Sequence, residues 1–180
     1  MLHVSLQRAL RRKKRKGRNK MPTQLEIAND WVRFTEDEWW SPDPVTMFSE
    51  FRRVLRPDGM LLFSTFGPAT LRELKAACSN LDTTVEWPEF PDLMQVGDAL
   101  MAAGFREPVM DMEMVVLNYP DLASMLMELE VTGNSRLVQG WEHVAGAGGS
   151  LAAAWEPMAP EEKFPLSFEI VYGVAFGPQD

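Results

Sequence analysis

The sequence is poor in residues that bind metals or form disulfides. It contains a single cysteine, Cys78, which excludes an internal disulfide. Its two histidines, His3 and His143, are far apart and lie near no pair of cysteines, so a zinc or haem site has no set of ligands. We therefore expect chemistry that uses no metal ion.

Long hydrophobic runs are also missing. No stretch of about 18 apolar residues is present to span a bilayer. The first twenty residues lack the apolar core and the small-residue cleavage site of a secretory signal. We therefore expect a cytoplasmic protein without a membrane partner. With 46% hydrophobic residues, including ten Phe and six Trp among 180 residues, the chain can bury a substantial core.

Basic residues are scarce outside an N-terminal arm. Nine of the 18 Lys and Arg residues lie between Arg8 and Lys20, where no acidic residue occurs. The rest of the chain has nine basic residues and 26 acidic residues. An acidic body repels a phosphate backbone, which argues against nucleic-acid binding by the folded part. We expect residues 1–20 to form a basic disordered arm. A nucleic-acid contact and a nuclear or organellar address are the alternatives for this arm.

The first part of the body is typical of an α/β unit. A short helical segment is predicted at residues 21–43, because apolar residues recur there at three- and four-residue steps. Asp43 and Pro44 then open an amphipathic helix, which ends at a Pro-Asp-Gly turn at residues 57–59. The apolar run at residues 60–63 does not alternate, which predicts a strand covered on both faces.

The end of that strand is the natural position for a pocket, because ligands of open parallel sheets bind where strands end and helices begin. The next helix is predicted to start at a capping box formed by Thr70 and Glu73. The candidate pocket residues are Ser64, Thr65, Phe66, Gly67, Thr70 and Leu71. The alternative is an ordinary strand-to-helix turn that binds no ligand.

Two further helices are predicted beyond this point. They begin at the capping residues Asp92 and Asp121 and end at Gly104 and Gly133. Their apolar residues recur at helical spacing, which indicates a face packed in the core.

Two strands and a glycine-rich run complete the predicted elements. Residues 109–119 form the first strand. Alternation over residues 168–176 predicts a second strand with one strongly apolar face, formed by the even-numbered residues. No strand leads into the glycine-rich residues 145–150, so we expect a flexible loop there and not a phosphate-binding loop.

Several stretches of the sequence resemble one enzyme family. EFRRVLRPDG at residues 50–59 is typical of many class I S-adenosylmethionine-dependent methyltransferases, and FSTFGPATLREL at residues 63–74 is more specific. Shorter matches follow in the expected order at residues 96–100, 103–105, 108–113, 119–121 and 168–173. From about residue 40 to residue 178, the chain thus resembles the C-terminal half of the malonyl-acyl-carrier-protein O-methyltransferases of biotin synthesis.

The resemblance implies both a fold and a reaction. Residues 44–180 would form part of a Rossmann-like α/β sheet, with about three main strands plus helices. The reaction would transfer a methyl group from S-adenosylmethionine to the free carboxylate of a malonyl thioester on acyl carrier protein. That carboxylate is already ionised, so the reaction needs alignment in a water-poor pocket and no general base. The six candidate pocket residues would line the substrate side, and Trp40 would border the cofactor.

The sequence lacks the features that hold the cofactor in that family. A class I methyltransferase uses a glycine-rich loop after its first strand, whereas only Gly17 precedes Gly59 here. We therefore expect a truncated chain that is inactive alone, or one completed by a complementary chain. The strand at residues 60–65 would present an open apolar edge, which favours such a partner or self-association. A noncatalytic module that binds an acyl carrier is the alternative function.

Overall fold

The fold is α/β, as predicted, and its strands form one four-stranded sheet. The structure is a computed structural model that describes residues 3–4, 43–79, 81, 85–155 and 163–179. The strands are β1 (His3–Val4), β2 (Met60–Phe66), β3 (Arg106–Tyr119) and β4 (Phe164–Phe176). The helices are α1 (Pro44–Val54), α2 (Arg72–Ser79), α3 (Leu93–Ala102), α4 (Leu122–Val131), α5 (Trp141–Gly146) and α6 (Gly148–Trp155), with a 3-10 helix at Asn134–Leu137.

Some predictions fall outside the described residues. These are Trp40, the helical segment up to residue 42, and the basic arm apart from residues 3–4. They stay predictions.

The sheet has the order β1-β2-β4-β3, so β4 is a central strand. The strands β2, β4 and β3 are antiparallel, and the N–H of Gly177 donates to the carbonyl of Gly59 at 2.7 Å. The short strand β1 pairs with β2 at Phe63 and Ser64. The expected open edge of β2 is therefore covered at these two positions, and the described residues place no strand beside the rest of that edge.

The residues divide into two compact units. Of the described residues, the first unit contains 3–4, 63–79, 81, 85–95, 110–155 and 163–173, and the second contains 43–62, 96–109 and 174–179.

In the first unit, α6 packs against α2, α4 and α5. The core includes the completely buried residues Leu74, Met125, Leu151 and Trp155. Leu151 and Trp155 lie one turn apart on α6, so their burial holds the glycine-rich segment in helices. The flexible loop predicted at residues 145–150 is therefore wrong, because tertiary burial overrides the weak helix propensity of glycine.

In the second unit, aromatic side chains of α1 form the core. The ring of Phe48 meets the rings of Phe51 and Phe105 edge-on, at centroid distances of 6.2 and 6.4 Å. Leu61 and Leu100 are completely buried in the same unit. Burial of each such side chain contributes about 1.5–3 kcal/mol.

The predicted helix starts at Asp43, Asp92 and Asp121 are confirmed. Their carboxylates accept hydrogen bonds from the backbone N–H groups of Val45 (3.0 Å), Gln95 (2.8 Å) and Ser124 (2.7 Å), respectively. An N-cap of this kind contributes about 1 kcal/mol.

The predicted faces of two strands are wrong. In β2, Leu61 and Phe63 are buried, whereas Met60 and Leu62 are each 39% exposed. The strand is therefore covered on one face within this chain. The apolar sequence had predicted cover on both faces because nothing in it distinguishes the two sets of side chains.

The last strand shows the opposite error. Alternation predicted one apolar face on β4, but Glu169, Val171 and Ala175 on the other face are buried, and Tyr172 is 40% exposed. The odd-numbered face is covered in part because the ring of Phe63 packs against Gly173, a contact that the alternation in the sequence does not reveal.

We expect Leu74→Ala to lower the free energy of unfolding by about 2–5 kcal/mol, because the substitution leaves a cavity in the core of the first unit. Met94→Ala is the matched control, since Met94 is 68% exposed in the same unit, and it should change stability by less than about 0.5 kcal/mol. Urea denaturation measures both values. Equal losses would contradict the assigned core.

Candidate functional site

The loop after β2 is hydrogen-bonded to β4. The N–H groups of Gly67 and Leu71 donate to the carbonyls of Glu169 (2.9 Å) and Ser167 (2.8 Å). The hydroxyl of Thr70 donates to the carbonyl of Glu169 at 3.2 Å and accepts from its N–H at 3.1 Å. We call residues 67–73 with residues 167–169 the β2–β4 junction. These bonds fix the loop at the end of β2, where the sequence predicted a pocket.

Glu169 places a buried carboxylate in this junction. The residue is only 7% exposed, and its Oε2 atom accepts a hydrogen bond from the N–H of Ala69 at 2.8 Å. A β-carbon added to Gly67 would lie 2.5 Å from the carboxyl carbon of Glu169. Glycine at this position therefore leaves the space that the carboxylate occupies.

A second carboxylate, that of Glu73, holds the start of α2 to the same strand. It accepts hydrogen bonds from the N–H (2.9 Å) and the hydroxyl (2.6 Å) of Ser167, and from Nε of Arg72 at 2.8 Å. Burial by itself raises the pKa of Glu73, but the hydrogen bonds from Ser167 and Arg72 outweigh burial and hold this pKa below its ordinary value.

The predicted capping box is wrong. Thr70 and Glu73 have the expected spacing, but Thr70 bonds Glu169 and Glu73 bonds Ser167, both on β4, and the bond that Glu73 makes to Arg72 at the start of α2 is to its side chain. The sequence spacing of a capping box is local, whereas the partners here are more than ninety residues away. Tertiary hydrogen bonds have replaced the local ones.

Leu71 has a backbone conformation that is unusual for its type. Its φ angle is +60°, in the left-handed region that costs a residue with a β-carbon roughly 1–2 kcal/mol. Its side chain is 1% exposed, and burial of a leucine offsets a cost of this size. Strained residues of this kind are found at functional positions, but they do not by themselves show a pocket, which stays a prediction here.

The predicted pocket residues lie together at the end of β2, but most of them are buried. The buried members are Thr65, Phe66, Gly67, Thr70 and Leu71. Ser64 is half-buried, and within the loop the exposed Pro68 and the half-buried Ala69 reach solvent. The buried members form the frame of the junction, and a role in substrate binding stays a prediction for all six.

Sequence reasoning missed Ser167 and Glu169. Both are polar residues in an otherwise apolar strand, and buried polar groups in a strand usually have fixed partners. That signal was available in the sequence. It could not identify the partners, because Gly67, Ala69 and Glu73 are about one hundred residues away in the chain.

Other kinds of site find little support in the described part of the chain. There, no group of three or more His, Cys, Asp and Glu side chains is placed to hold a metal ion. Burial raises the pKa of the Cys78 thiol to about 11, so this thiol stays protonated at neutral pH and is a poor nucleophile. Across the same residues, no helix is both long and apolar enough to cross a membrane.

The α/β fold is that of part of a class I methyltransferase sheet, as the motifs predicted. The chain is similar to the malonyl-[acyl-carrier protein] O-methyltransferase of Methylovorus sp. (strain MP688), with 38% identity over 143 residues that cover 78% of this chain and 48% of that protein. The enzymes of that name from Gallionella capsiferriformans (38% identity; 77% and 49% covered) and Laribacter hongkongensis (37% identity; 77% and 48% covered) are similar to it as well. No family model matches the chain.

The resemblance predicted from the motifs is thus confirmed. The chain spans about half the length of the curated relatives it matches. That coverage is consistent with a match to their C-terminal half.

We expect Gly67→Ala to lower the free energy of unfolding by about 1–3 kcal/mol, because its β-carbon would overlap the buried carboxyl group of Glu169. Gly149→Ala is the control, since nothing lies within 4 Å of a β-carbon added at this position of α6. There alanine should leave stability unchanged or raise it by up to about 1 kcal/mol. Chemical denaturation of both variants is the measurement, and an unchanged Gly67→Ala variant would contradict the packing at the junction.

Acid should weaken the junction through Glu73. Because its pKa in the fold lies below its ordinary value of 4.5, this group stabilises the fold above pH 4.5. The stabilisation is lost as pH falls through the lowered pKa. Ser167→Ala removes one donor and should reduce the stability lost between about pH 6 and pH 3. Ser79→Ala is the control, since the hydroxyl of Ser79 bonds only the carbonyl of Ala76 among the contacts described. Thermal unfolding at each pH measures the stability of both variants. If both variants lose the same stability on acidification, the bond between Ser167 and Glu73 does not cause the acid sensitivity.

Proposed function

We propose that this chain is the substrate-side part of an S-adenosylmethionine-dependent methyltransferase that esterifies the free carboxylate of a malonyl thioester on acyl carrier protein. The observation that carries the proposal is the 37–38% identity to enzymes of that name over more than 140 residues. A match over 77–78% of the chain must include residues 67–73, which form the loop at the end of β2.

The described residues do not form a site for S-adenosylmethionine. Family members bind this cofactor with a glycine-rich loop between a strand and a helix. Among the described residues, the glycine-rich run lies in α5 and α6, and no strand leads into it. Trp40, the predicted neighbour of the cofactor, lies outside the described part. We therefore propose that methyl transfer needs a cofactor-binding segment outside the described residues.

The junction supports a substrate role by holding its loop in one arrangement. Pro68 and Ala69 reach solvent, while Gly67 and Thr70 on either side are bonded to β4. A carboxylate nucleophile needs no base, so alignment is what the protein must supply. A loop fixed on both sides of its exposed residues is suited to that task.

A noncatalytic interaction module is the second candidate, and the exposed edge of the sheet favours it. Strand β3 lies at the edge, and it exposes apolar side chains such as Val109 (65%), Met112 and Val116. Exposed apolar edge strands pair readily with other chains. Such a module would bind a carrier, a complementary chain or a second copy without transferring a methyl group.

Calorimetric titration tests whether the chain binds the carrier-linked substrate without a cofactor site of its own. We expect no saturable heat when S-adenosylhomocysteine, the demethylated cofactor, is added to the chain, at concentrations that saturate the Methylovorus relative as positive control. Malonyl-acyl carrier protein should bind to the chain in the same experiment. Saturable binding of S-adenosylhomocysteine would instead indicate a compact methyltransferase with its own cofactor site, and no binding of either ligand would contradict the proposal.

A further inference from the structure

Strand β3 forms an open edge of the sheet. It is the last strand in the order β1-β2-β4-β3, so among the described residues no strand lies beyond it. An edge strand presents a row of backbone N–H and C=O groups with which a further strand can pair. Features of the edge itself decide where such pairing is possible, and the two halves of β3 differ in these features.

The first half of β3, residues 106–113, is protected against pairing. Glu107 has a φ angle of +51°, which interrupts the extended backbone at the start of the strand. Pro108 has no N–H to donate. The N–H of Met112 donates to the carboxylate of Asp111 at 2.8 Å, so this donor already has a partner. This half of the edge therefore suits no further strand.

The second half of the edge has a different composition. Residues 114–118 read Met-Val-Val-Leu-Asn and contain no charge, proline or glycine. Short uncharged segments rich in valine pair readily through their backbones. Met114, Val116 and Leu117 are apolar, yet they are 36%, 44% and 37% exposed, respectively. We call residues 114–118 the open stretch of β3.

The acidic residues beside the open stretch restrict how it can pair with an identical strand. Two identical strands pair antiparallel about a two-fold axis. An axis anywhere in residues 111–113 places a carboxylate of Asp111 or Glu113 opposite a carboxylate of the second copy. Like charges directly opposite each other destabilise a pair of strands. An axis at Met114 or Val115 places both carboxylates opposite uncharged side chains, so the open stretch is complementary to itself.

We infer that two copies of this chain pair antiparallel through the open stretches of their β3 strands, about a two-fold axis at Met114 or Val115. The sheet of one copy then continues into the sheet of the other. Met114 of one copy lies opposite or diagonal to Val116 of the second copy, and their contact removes apolar surface from water. Pairing of this kind goes beyond the proposed function and does not depend on methyl transfer.

The unmodified chain gives the first test. The interface is small, so sedimentation velocity between about 5 μM and about 500 μM should show a monomer–dimer equilibrium. Amide hydrogen exchange in residues 114–118 should slow as the dimer forms, because pairing protects the N–H groups of the edge. A chain that stays monomeric over this range overturns the inference. So does a dimer whose exchange in the open stretch is as fast as that of the monomer.

Two substitutions of opposite charge test the position and direction of the pairing. Met114→Lys and Val116→Glu each place a charge in the open stretch, and each charge occurs twice in a two-fold dimer. Either variant alone should raise the dissociation constant at least about tenfold, because its charge enters an apolar contact. An equimolar mixture should restore association to within about threefold of the unmodified chain, since the new ammonium group then faces the new carboxylate.

Met127→Lys and Val131→Glu are the matched controls. They make the same two changes of residue type on α4, where the side chains are 64% and 82% exposed, respectively. Neither control variant, nor the mixture of both, should change the dissociation constant by more than about twofold. Thermal unfolding should show that all four variants are folded.

Three results with the variants would overturn the inference. A dissociation constant that the two β3 substitutions leave unchanged means that the copies associate elsewhere, for example at the edge of β2. Equal weakening by the control variants means that total charge, and not its position, matters. Weakening by both β3 variants without recovery in their mixture contradicts antiparallel pairing. Each of these results leaves the proposed function intact, because binding of malonyl-acyl carrier protein is measured separately.

Discussion

The buried carboxylate of Glu169 is the constraint on which the end of β2 depends. Removing a carboxylate from water costs several kcal/mol unless hydrogen bonds replace the lost solvent, and the N–H of Ala69 supplies one at 2.8 Å. The carboxylate fits only because Gly67 has no β-carbon. Thr70 then bonds both backbone groups of Glu169, so the loop has one available position, and α2 starts from it.

The same arrangement explains why strain is tolerated at Leu71. Its left-handed backbone is unfavourable in isolation. However, its N–H bonds the carbonyl of Ser167 and its side chain is completely enclosed. Glu73 adds a second attachment to Ser167 a few residues later. Because these bonds all end on β4, the loop and the strand hold one another in place.

The described residues contain one candidate site, the β2–β4 junction, and one exposed edge strand, β3. The described residues include the β2–β4 junction, whereas no described strand leads into the glycine-rich run at residues 145–150. The chain instead exposes apolar side chains along the edge strand β3. An apolar edge strand suits contact with another chain.

Local sequence determined the helix starts, since an aspartate at Asp43, Asp92 or Asp121 caps the N–H groups that follow it directly. It also determined the α/β class, and the motif order predicted the family. Tertiary structure decided which faces of β2 and β4 are buried, because the cover comes from side chains distant in the sequence, such as Phe63 against Gly173. Tertiary structure also decided the conformation of the glycine-rich segment, where burial of Leu151 and Trp155 stabilises a helix. The candidate site depended most on tertiary structure: Thr70 and Glu73 follow local capping spacing, but Ser167 and Glu169 compete for their hydrogen bonds, and only folding brings those residues together.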